Sequence, residues 1–180
     1  IFLNKCGLMG TGAEIGVQNG LYSKILLDNW KGSCLFSIDA WKHFPKDDYI
    51  DKANCEDEQH LDLYADTTLK LRKFGERSII WRMTSEEAAK IMPDKTLDFC
   101  YIDADHSYDG VIQDLELWIP KIKSGGIICG HDFINDGEYY DEKGNLVGLF
   151  GVKKAVSEYS EKNNWKLHIT SENGMHPSWF

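Results

Sequence analysis

Short runs of β-branched and aromatic residues alternate along this chain with segments of helical periodicity, and that alternation narrows the fold more than any other feature. The runs are Gly12–Val17, Cys34–Asp39, Arg77–Met83, Leu97–Asp103, Gly126–Phe133 and Trp165–Thr170, with His176–Phe180 as a candidate seventh. Between them, Leu21–Trp30 places Leu21, Ile25 and Leu26 on one helical face, and Leu61, Tyr64, Ala65, Thr68 and Leu69 mark another helix. Thr84-Ser-Glu-Glu87 has the form of a capping box opening a short helix that stops at Pro93. Ser107–Ile122 is helical, with Val111, Leu115 and Trp118 inward, and a last helix carries Val152, Ala155, Val156 and Tyr159. Gly137–Gly148 reads as a polar loop. Strands that alternate with helices form βαβ units, and right-handed crossovers then give an α/β fold with a doubly wound, mostly parallel sheet. No repeat or composition break divides the chain, so residues 1–180 are predicted to be a single domain.

Composition excludes some partners without naming one. Lys and Arg total 20 against 29 Asp and Glu, a formal charge of −9. Affinity for nucleic acid or an anionic membrane comes largely from basic side chains, so neither is an expected partner. The five cysteines are odd in number and none is spaced CxxC, which fits free thiols in a reducing compartment and a cytoplasmic location. No apolar stretch reaches the ~20 residues that span a bilayer, and no signal peptide is visible.

In an open α/β sheet, ligands bind beyond the carboxyl ends of the strands. The first predicted strand leads into Glu14-Ile-Gly16-Val-Gln-Asn-Gly20, a turn whose glycines let backbone approach a ligand. Its spacing, GxxxG, departs from the dinucleotide fingerprint, and Gln18 stands where a pyrophosphate would need the middle glycine. The second strand ends in Asp39, 19 residues after Gly20, and a carboxylate there suits the two hydroxyls of a ribose. Together these suggest an adenosine-containing ligand whose other end need not be a diphosphate. The fourth strand ends in Asp103-Ala-Asp105-His106-Ser-Tyr-Asp109 and the fifth in Gly130-His131-Asp132. Acids and imidazoles gathered over one crevice are hard to account for by packing.

The order Glu14-x-Gly16-x-x-x-Gly20, Asp39, then Asp103-Ala-Asp-His106-Ser-Tyr resembles the class I S-adenosylmethionine-dependent methyltransferases. Tyr101 to Phe133 is most similar to the small methyltransferases of the methyltransferase 24 kind, relatives of O-methyltransferases acting on sugars and natural products. The resemblance implies a Rossmann-like, seven-stranded sheet with an antiparallel last strand. It implies that Glu14, Gly16, Val17 and Gly20 line the methionine end of S-adenosylmethionine and that Asp39 holds its ribose. Ala40 and Trp41 would flank the adenine on one side, with Met83, Thr84 and Ser85 at its other edge and Asp103 near the donor. By the same resemblance Asp103, His131 and Asp132 take the positions of a divalent-cation site, and His106 that of the general base, with Asp103 and His131 as further catalytic groups.

One departure stands out. His131 occupies a position where related enzymes place an acid. Magnesium prefers oxygen donors, whereas manganese or zinc accepts imidazole. Three readings stay open: a metal other than magnesium, magnesium held by two carboxylates, or no metal, with His131 as a second acid/base group. The expected acceptor is a small hydroxylated molecule such as a saccharide, in a pocket supplied by Trp41–Gln59 and Asn135–Gly148; self-association is left open. The competing readings are a nicotinamide-dependent oxidoreductase and a non-catalytic module that binds an adenosyl ligand.

Overall fold

The computed structural model describes residues 2–45, 49–171 and 176–180. Its elements are α1 (Phe2–Lys5), β1 (Thr11–Ile15), α2 (Leu21–Asn29), β2 (Cys34–Asp39), α3 (Asp57–Leu71), β3 (Ser78–Arg82), α4 (Ser85–Ile91), β4 (Leu97–Ile102), α5 (Tyr108–Trp118), β5 (Ile122–Gly130), β6 (Gly137–Tyr140), β7 (Leu146–Phe150) and α6 (Val152–Lys162). Strands β1 to β5 form one parallel sheet in the order β3-β2-β1-β4-β5. The order reverses at β1, so a crevice opens beyond the carboxyl ends of β1 and β4.

Every residue of β4 is buried, as its unbroken hydrophobicity requires of a strand covered on both faces. The two-residue period sends Cys100 and Ile102 to one side and Phe99 and Tyr101 to the other. On the first side they meet Val111, Leu115 and Trp118 of α5 and Val156 of α6. On the second they meet Leu26 and Leu27 of α2, Trp30 and Leu71. The capping box is present: Thr84 accepts from the Glu87 amide at 3.2 Å, and the Glu87 carboxylate accepts from the Thr84 amide at 2.9 Å.

The sheet departs from the seven-stranded expectation. Five strands make the parallel sheet, and β6 and β7 form a separate antiparallel pair. The two C-terminal runs contribute isolated antiparallel bridges only, Gly130 with Trp179 and Ile169 with Trp179. Thus the last segment does run antiparallel along the β5 edge, but it carries too few ladder bonds to count as a full strand.

The Gly137–Gly148 loop is also corrected, to a hairpin. Asp141 Oδ1 accepts from the amides of Lys143 (2.9 Å) and Asn145 (2.8 Å), closing a side-chain turn that lets the flanking residues pair. Two helix faces also differ from the periodicity. Helix α2 buries Ser23, Leu26 and Leu27 and leaves Leu21 and Ile25 about half exposed. Helix α3 buries His60, Thr67 and Leu71, while Leu61 and Leu69 face outward. The five cysteines are free thiols; Cys6 is exposed and Cys100 fully buried. Among the described residues, no helix is long and apolar enough to cross a membrane.

Candidate active site

A cavity of about 620 Å³ lies at the crevice, within the range of roughly 300–1,000 Å³ usual for small-molecule sites. Its wall includes Glu14, Gly16 and Val17 after β1, Asp39 and Ala40 after β2, Thr84 and Ser85 after β3, and Asp103 and His106 after β4. Chain direction alone explains this convergence, because parallel strands deliver all their carboxyl ends to one edge.

The glycine turn is shaped from both sides. Gly16 has φ +84°, and a Cβ there would lie 1.9 Å from the Asp103 carbonyl oxygen, so no other residue fits. The amides of Val17 and Gln18 both donate to Asp39 Oδ2 at 2.9 Å, and the Trp41 amide donates to Oδ1 at 2.8 Å. From behind, the Gln18 carbonyl accepts from the Trp41 indole (2.7 Å) and the Thr67 hydroxyl (3.1 Å). Two turn amides are therefore already committed to a carboxylate of the same protein. A dinucleotide site uses such amides to cradle a pyrophosphate. Among the described residues, six carboxyl groups border the cavity (Glu14, Asp39, Glu86, Asp103, Asp105 and Asp114) against the single ammonium of Lys42, a setting that repels phosphate and attracts a cation.

Glu14 is 2% exposed and accepts from the Ser23 hydroxyl, which in turn lies 2.9 Å from Ser37 Oγ. Burial pushes its pKa up to about 8 despite the Ser23 hydrogen bond, with the charges of Asp103 and Asp39 adding to the rise.

His106 is held on four sides. Its Nδ1 donates to Asp51 Oδ2 at 2.7 Å, and its Nε2 lies 2.9 Å from Asp132 Oδ2 and 3.4 Å from Asp103 Oδ1. Phe150 stacks on the ring at 4.8 Å between centroids and 4° between planes. Burial lowers the imidazole's affinity for a proton, but hydrogen bonds to Asp103, Asp132 and Asp51 outweigh it and push the pKa up to about 12. Asp132, at φ +54°, also meets His131 Nδ1 at 3.2 Å and His176 Nδ1 at 2.5 Å. Although burial opposes it, the hydrogen bonds from His106 and His131 hold its carboxyl well below the usual range. The hydrogen bond to Asp132 in turn raises the His131 pKa. Ligand atoms of Asp103, His131 and Asp132 lie within 4.8 Å of one another, a set able to grip one cation.

Of the residues singled out from sequence, Gly20 and Trp41 do not border the cavity. Gly20, at φ +71°, starts α2 against Thr67, and the buried Trp41 indole props the turn from outside. Met83 packs into the core instead. His131 and Asp132 join the cation set without lining the cavity. Asp51 escaped the sequence reading, and Phe150, an aromatic residue beside the second insert expected to serve the acceptor pocket, stacks on His106. Asp51 lies in the insert after β2, and that insert is joined to β7 by the Asp51–Gly148 bridge and a 3.3 Å bond from the Leu149 amide to the Ile50 carbonyl. Nothing local in sequence couples these segments. Positions 46–48 of that insert lie outside the described residues.

The sequence profile of the methyltransferase 24 family, a methyltransferase domain, matches residues 13–133, the stretch from β1 to just past β5. The chain belongs to that family of class I S-adenosylmethionine-dependent methyltransferases. No curated protein matches it in sequence. Solved structures that share the fold include an O-methyltransferase from Bacillus cereus in complex with S-adenosylhomocysteine, at 15% identity and a TM-score of 0.67, covering 99% of this chain and 76% of that one. Another is a methyltransferase from Aquifex aeolicus, at 17% identity and a TM-score of 0.61, covering 99% and 85%. A third is the 1,6-didemethyltoxoflavin-N1-methyltransferase of Burkholderia thailandensis, at 12% identity and a TM-score of 0.62, covering 98% and 72%. These likenesses extend the fold beyond the profile match to nearly the whole methyltransferase chain.

Proposed function

We propose that this methyltransferase moves the methyl group of S-adenosylmethionine to a hydroxyl oxygen of a small acceptor, with a saccharide as the first class to test. The observation that carries this reading is the placement of His106, braced by Asp51, on the same cavity wall as Glu14 and Asp39. Asp103 offers negative charge to a sulfonium and an amino group, Glu14, neutral as it stands because burial raises its pKa to about 8, ionises as that positive charge arrives, and Asp39 offers its carboxylate to a ribose. The committed amides of Val17 and Gln18, with the acidic wall, count against a nicotinamide dinucleotide. The His106 cluster counts against a module that only binds, since an adenosyl ligand alone needs no such group. A reducing compartment such as the cytoplasm suits the free thiols.

Methyl transfer from a sulfonium is an in-line displacement, so holding donor and acceptor in register supplies much of the rate. The acceptor hydroxyl must also lose its proton. As the cluster stands, His106 is an imidazolium; positive charge engaging Asp103 and Asp132 would lower its pKa, so that it releases its Nε2 proton to solvent and can then take the proton of the acceptor hydroxyl. Asp51 keeps Nδ1 occupied throughout, leaving Nε2 toward the reacting side. Asp103, His131 and Asp132 would hold a divalent cation, which when bound supplies a Lewis acid for the acceptor oxygen. The imidazole among these donors favours manganese or zinc over magnesium. Tyr49, whose hydroxyl donates to the Ala104 carbonyl at 3.2 Å, and Phe44 against it form the aromatic rim on which an acceptor would rest.

Calorimetric titration with S-adenosylmethionine, S-adenosylhomocysteine and NAD tests the cofactor; binding of NAD alone would overturn the reading. Methyl transfer to a panel of sugars and phenols then identifies the acceptor. With that acceptor, His106→Ala lowers turnover roughly 10²- to 10⁴-fold and leaves affinity for S-adenosylhomocysteine within about threefold. Unchanged turnover removes His106 from the reaction.

A further inference from the structure

Among the described residues, two side chains bury a polar atom that has no hydrogen-bond partner, Ser78 Oγ and His60 Nε2. Ser78 opens the edge strand β3 and does not border the cavity. His60 does border it, at 8% exposure. The rest of the inward polar face of α3 is spent on the glycine turn. Thr67, about two helical turns further along, donates to the Gln18 carbonyl at 3.1 Å, and Lys70 donates to the Asn19 carbonyl. No such partner meets His60 Nε2, and buried polar atoms left open in this way are uncommon unless a ligand or water completes them.

The surrounding wall says which ligand would arrive there. Phe44, Tyr49 and Ala53, all from the insert after β2, border the cavity together with His60. Asn54 folds that insert: its side chain accepts from the Phe44 amide at 2.9 Å and donates to the carbonyls of Phe44 (2.8 Å) and Tyr49 (2.9 Å). Asp57, in the first turn of α3, accepts from the His43 amide at 2.7 Å and ties the insert to the helix that carries His60. The same insert reaches across to the end of β4, where Tyr49 bonds the Ala104 carbonyl and Asp51 bonds His106. His60 therefore belongs to the wall that runs to His106, apart from the strand ends assigned above to the cofactor.

We propose that His60 is a specificity-determining residue for the methyl acceptor, hydrogen-bonding a hydroxyl of a neutral sugar other than the one that is methylated. This inference rests on the methyl-transfer reading above. An imidazole in its neutral form carries one N–H and one bare nitrogen, and a hydroxyl can answer either. A half-turn about χ2 puts Nδ1 where Cδ2 was and Nε2 where Cε1 was, so whichever ring edge borders the cavity can present a nitrogen to it. Most hydrogen bonds net little because each partner gives up water to form them; a nitrogen closed off from solvent gives up none. Phe44 and Tyr49 offer apolar faces to the C–H side of a sugar ring, and the acidic wall disfavours an anionic acceptor.

The test measures methyl transfer at saturating S-adenosylmethionine to methyl pyranosides, their monodeoxy analogues and catechol. Wild type, His60→Phe, His60→Leu and His60→Asn are compared, with calorimetric titration of S-adenosylhomocysteine and thermal melts alongside. When one hydroxyl other than the methylated one is missing from its best pyranoside, wild type is expected to lose roughly 10- to 100-fold in kcat/KM, mostly through KM. His60→Phe keeps a ring and drops both nitrogens; it loses the same factor on the full sugar and no longer distinguishes the deoxy analogue. His60→Asn, which keeps a donor and an acceptor, recovers part of the difference. Should the larger ring fail to fold, His60→Leu takes its place. Affinity for S-adenosylhomocysteine stays within about threefold in every folded variant. A deoxy discrimination that survives in His60→Phe or His60→Leu overturns the proposal, as does a wild type indifferent to every such deletion. So does a loss of S-adenosylhomocysteine affinity in step with kcat/KM, which would place His60 on the cofactor. Transfer to catechol with no pyranoside turned over also overturns it, while leaving methyl transfer to oxygen standing. A wild type that binds no S-adenosylhomocysteine, or methylates none of these probes, overturns the underlying reading and this inference with it.

Discussion

At the glycine-turn end of the cavity, Gly16, Val17, Gln18 and Asp39 meet through backbone amides supplied by two adjacent strand ends. At the His106 end, side chains arrive from five separate stretches: Asp51, Asp103 with His106, His131 with Asp132, Phe150, and His176. The first end depends on backbone fixed by the sheet and tolerates almost no change of shape. The second depends on charge balance and on two inserts meeting each other across the Asp51–Gly148 bridge. Shape and charge should therefore fail differently at the two ends.

The largest effect is expected from Gly16→Ala. The new Cβ would sit 1.9 Å from the Asp103 carbonyl oxygen at a φ of +84°, and neither backbone can yield without moving a central strand. A loss of at least about 3 kcal/mol follows from the conformational strain and the collision. For a domain of this size that is a fall of roughly 6–12 °C in Tm. A melt within about 2 °C of wild type would mean the turn is looser than its contacts imply, and the contrast between the two ends would fail.

These two ends also differ in how far they could be read from sequence. Parallel strands put Glu14, Asp39, Asp103 and Asp132 at one edge, and the strand runs with their following glycines and acids announced it. The turn chemistry was legible because it is local. Asp51 was not, because its partner lies 55 residues away and the contact depends on a hairpin at 137–150 that polar composition disguised as a loop. Trp41 was placed beside the ligand because it follows Asp39; in the fold its φ of +42° and its indole bond to Gln18 turn it behind the wall. Sequence order located the edge of the site, and tertiary packing decided which side of the wall each residue took.

A smaller effect separates the ends by pH. Glu14 has an ordinary value of 4.5 and a folded value of about 8. A raised pKa contributes stability that is complete below about 4.5 and is lost as pH climbs toward 8. His106, raised from 6.5 to about 12, contributes stability complete below 6.5 and lost above it. Asp132, lowered from 3.8, contributes fully above that value and loses its share as pH falls below it. The three together place maximum stability near pH 4, between the ordinary values of Asp132 and Glu14. Melting curves taken from pH 4 to 8 should show it, and Glu14→Gln, which keeps an acceptor for Ser23, should remove a decline on the order of a few kcal/mol across that interval. An unchanged decline in Glu14→Gln would remove Glu14 from the pH dependence and leave it to Asp114, whose pKa burial raises to about 7, and to His106 above pH 6.5.

The smallest effect is expected where sequence periodicity pointed the wrong way. Leu61, Ala65, Thr68 and Leu69 form an apolar stripe on α3, yet all are exposed, Leu69 at 64%. The inward face is polar because α3 packs on the glycine turn: Thr67 donates to the Gln18 carbonyl at 3.1 Å, and Lys70 donates to the Asn19 carbonyl. A helix recruited to satisfy turn carbonyls hides its donors, and its apolar positions are displaced to the outside. Leu69→Gln should then cost less than about 0.5 kcal/mol in urea unfolding. Thr67→Val, nearly isosteric, removes one buried donor and should cost about 1 kcal/mol. The order of these two values is the test, because a core reading of the apolar stripe reverses it: Leu69 would become the costly position and Thr67 the tolerant one.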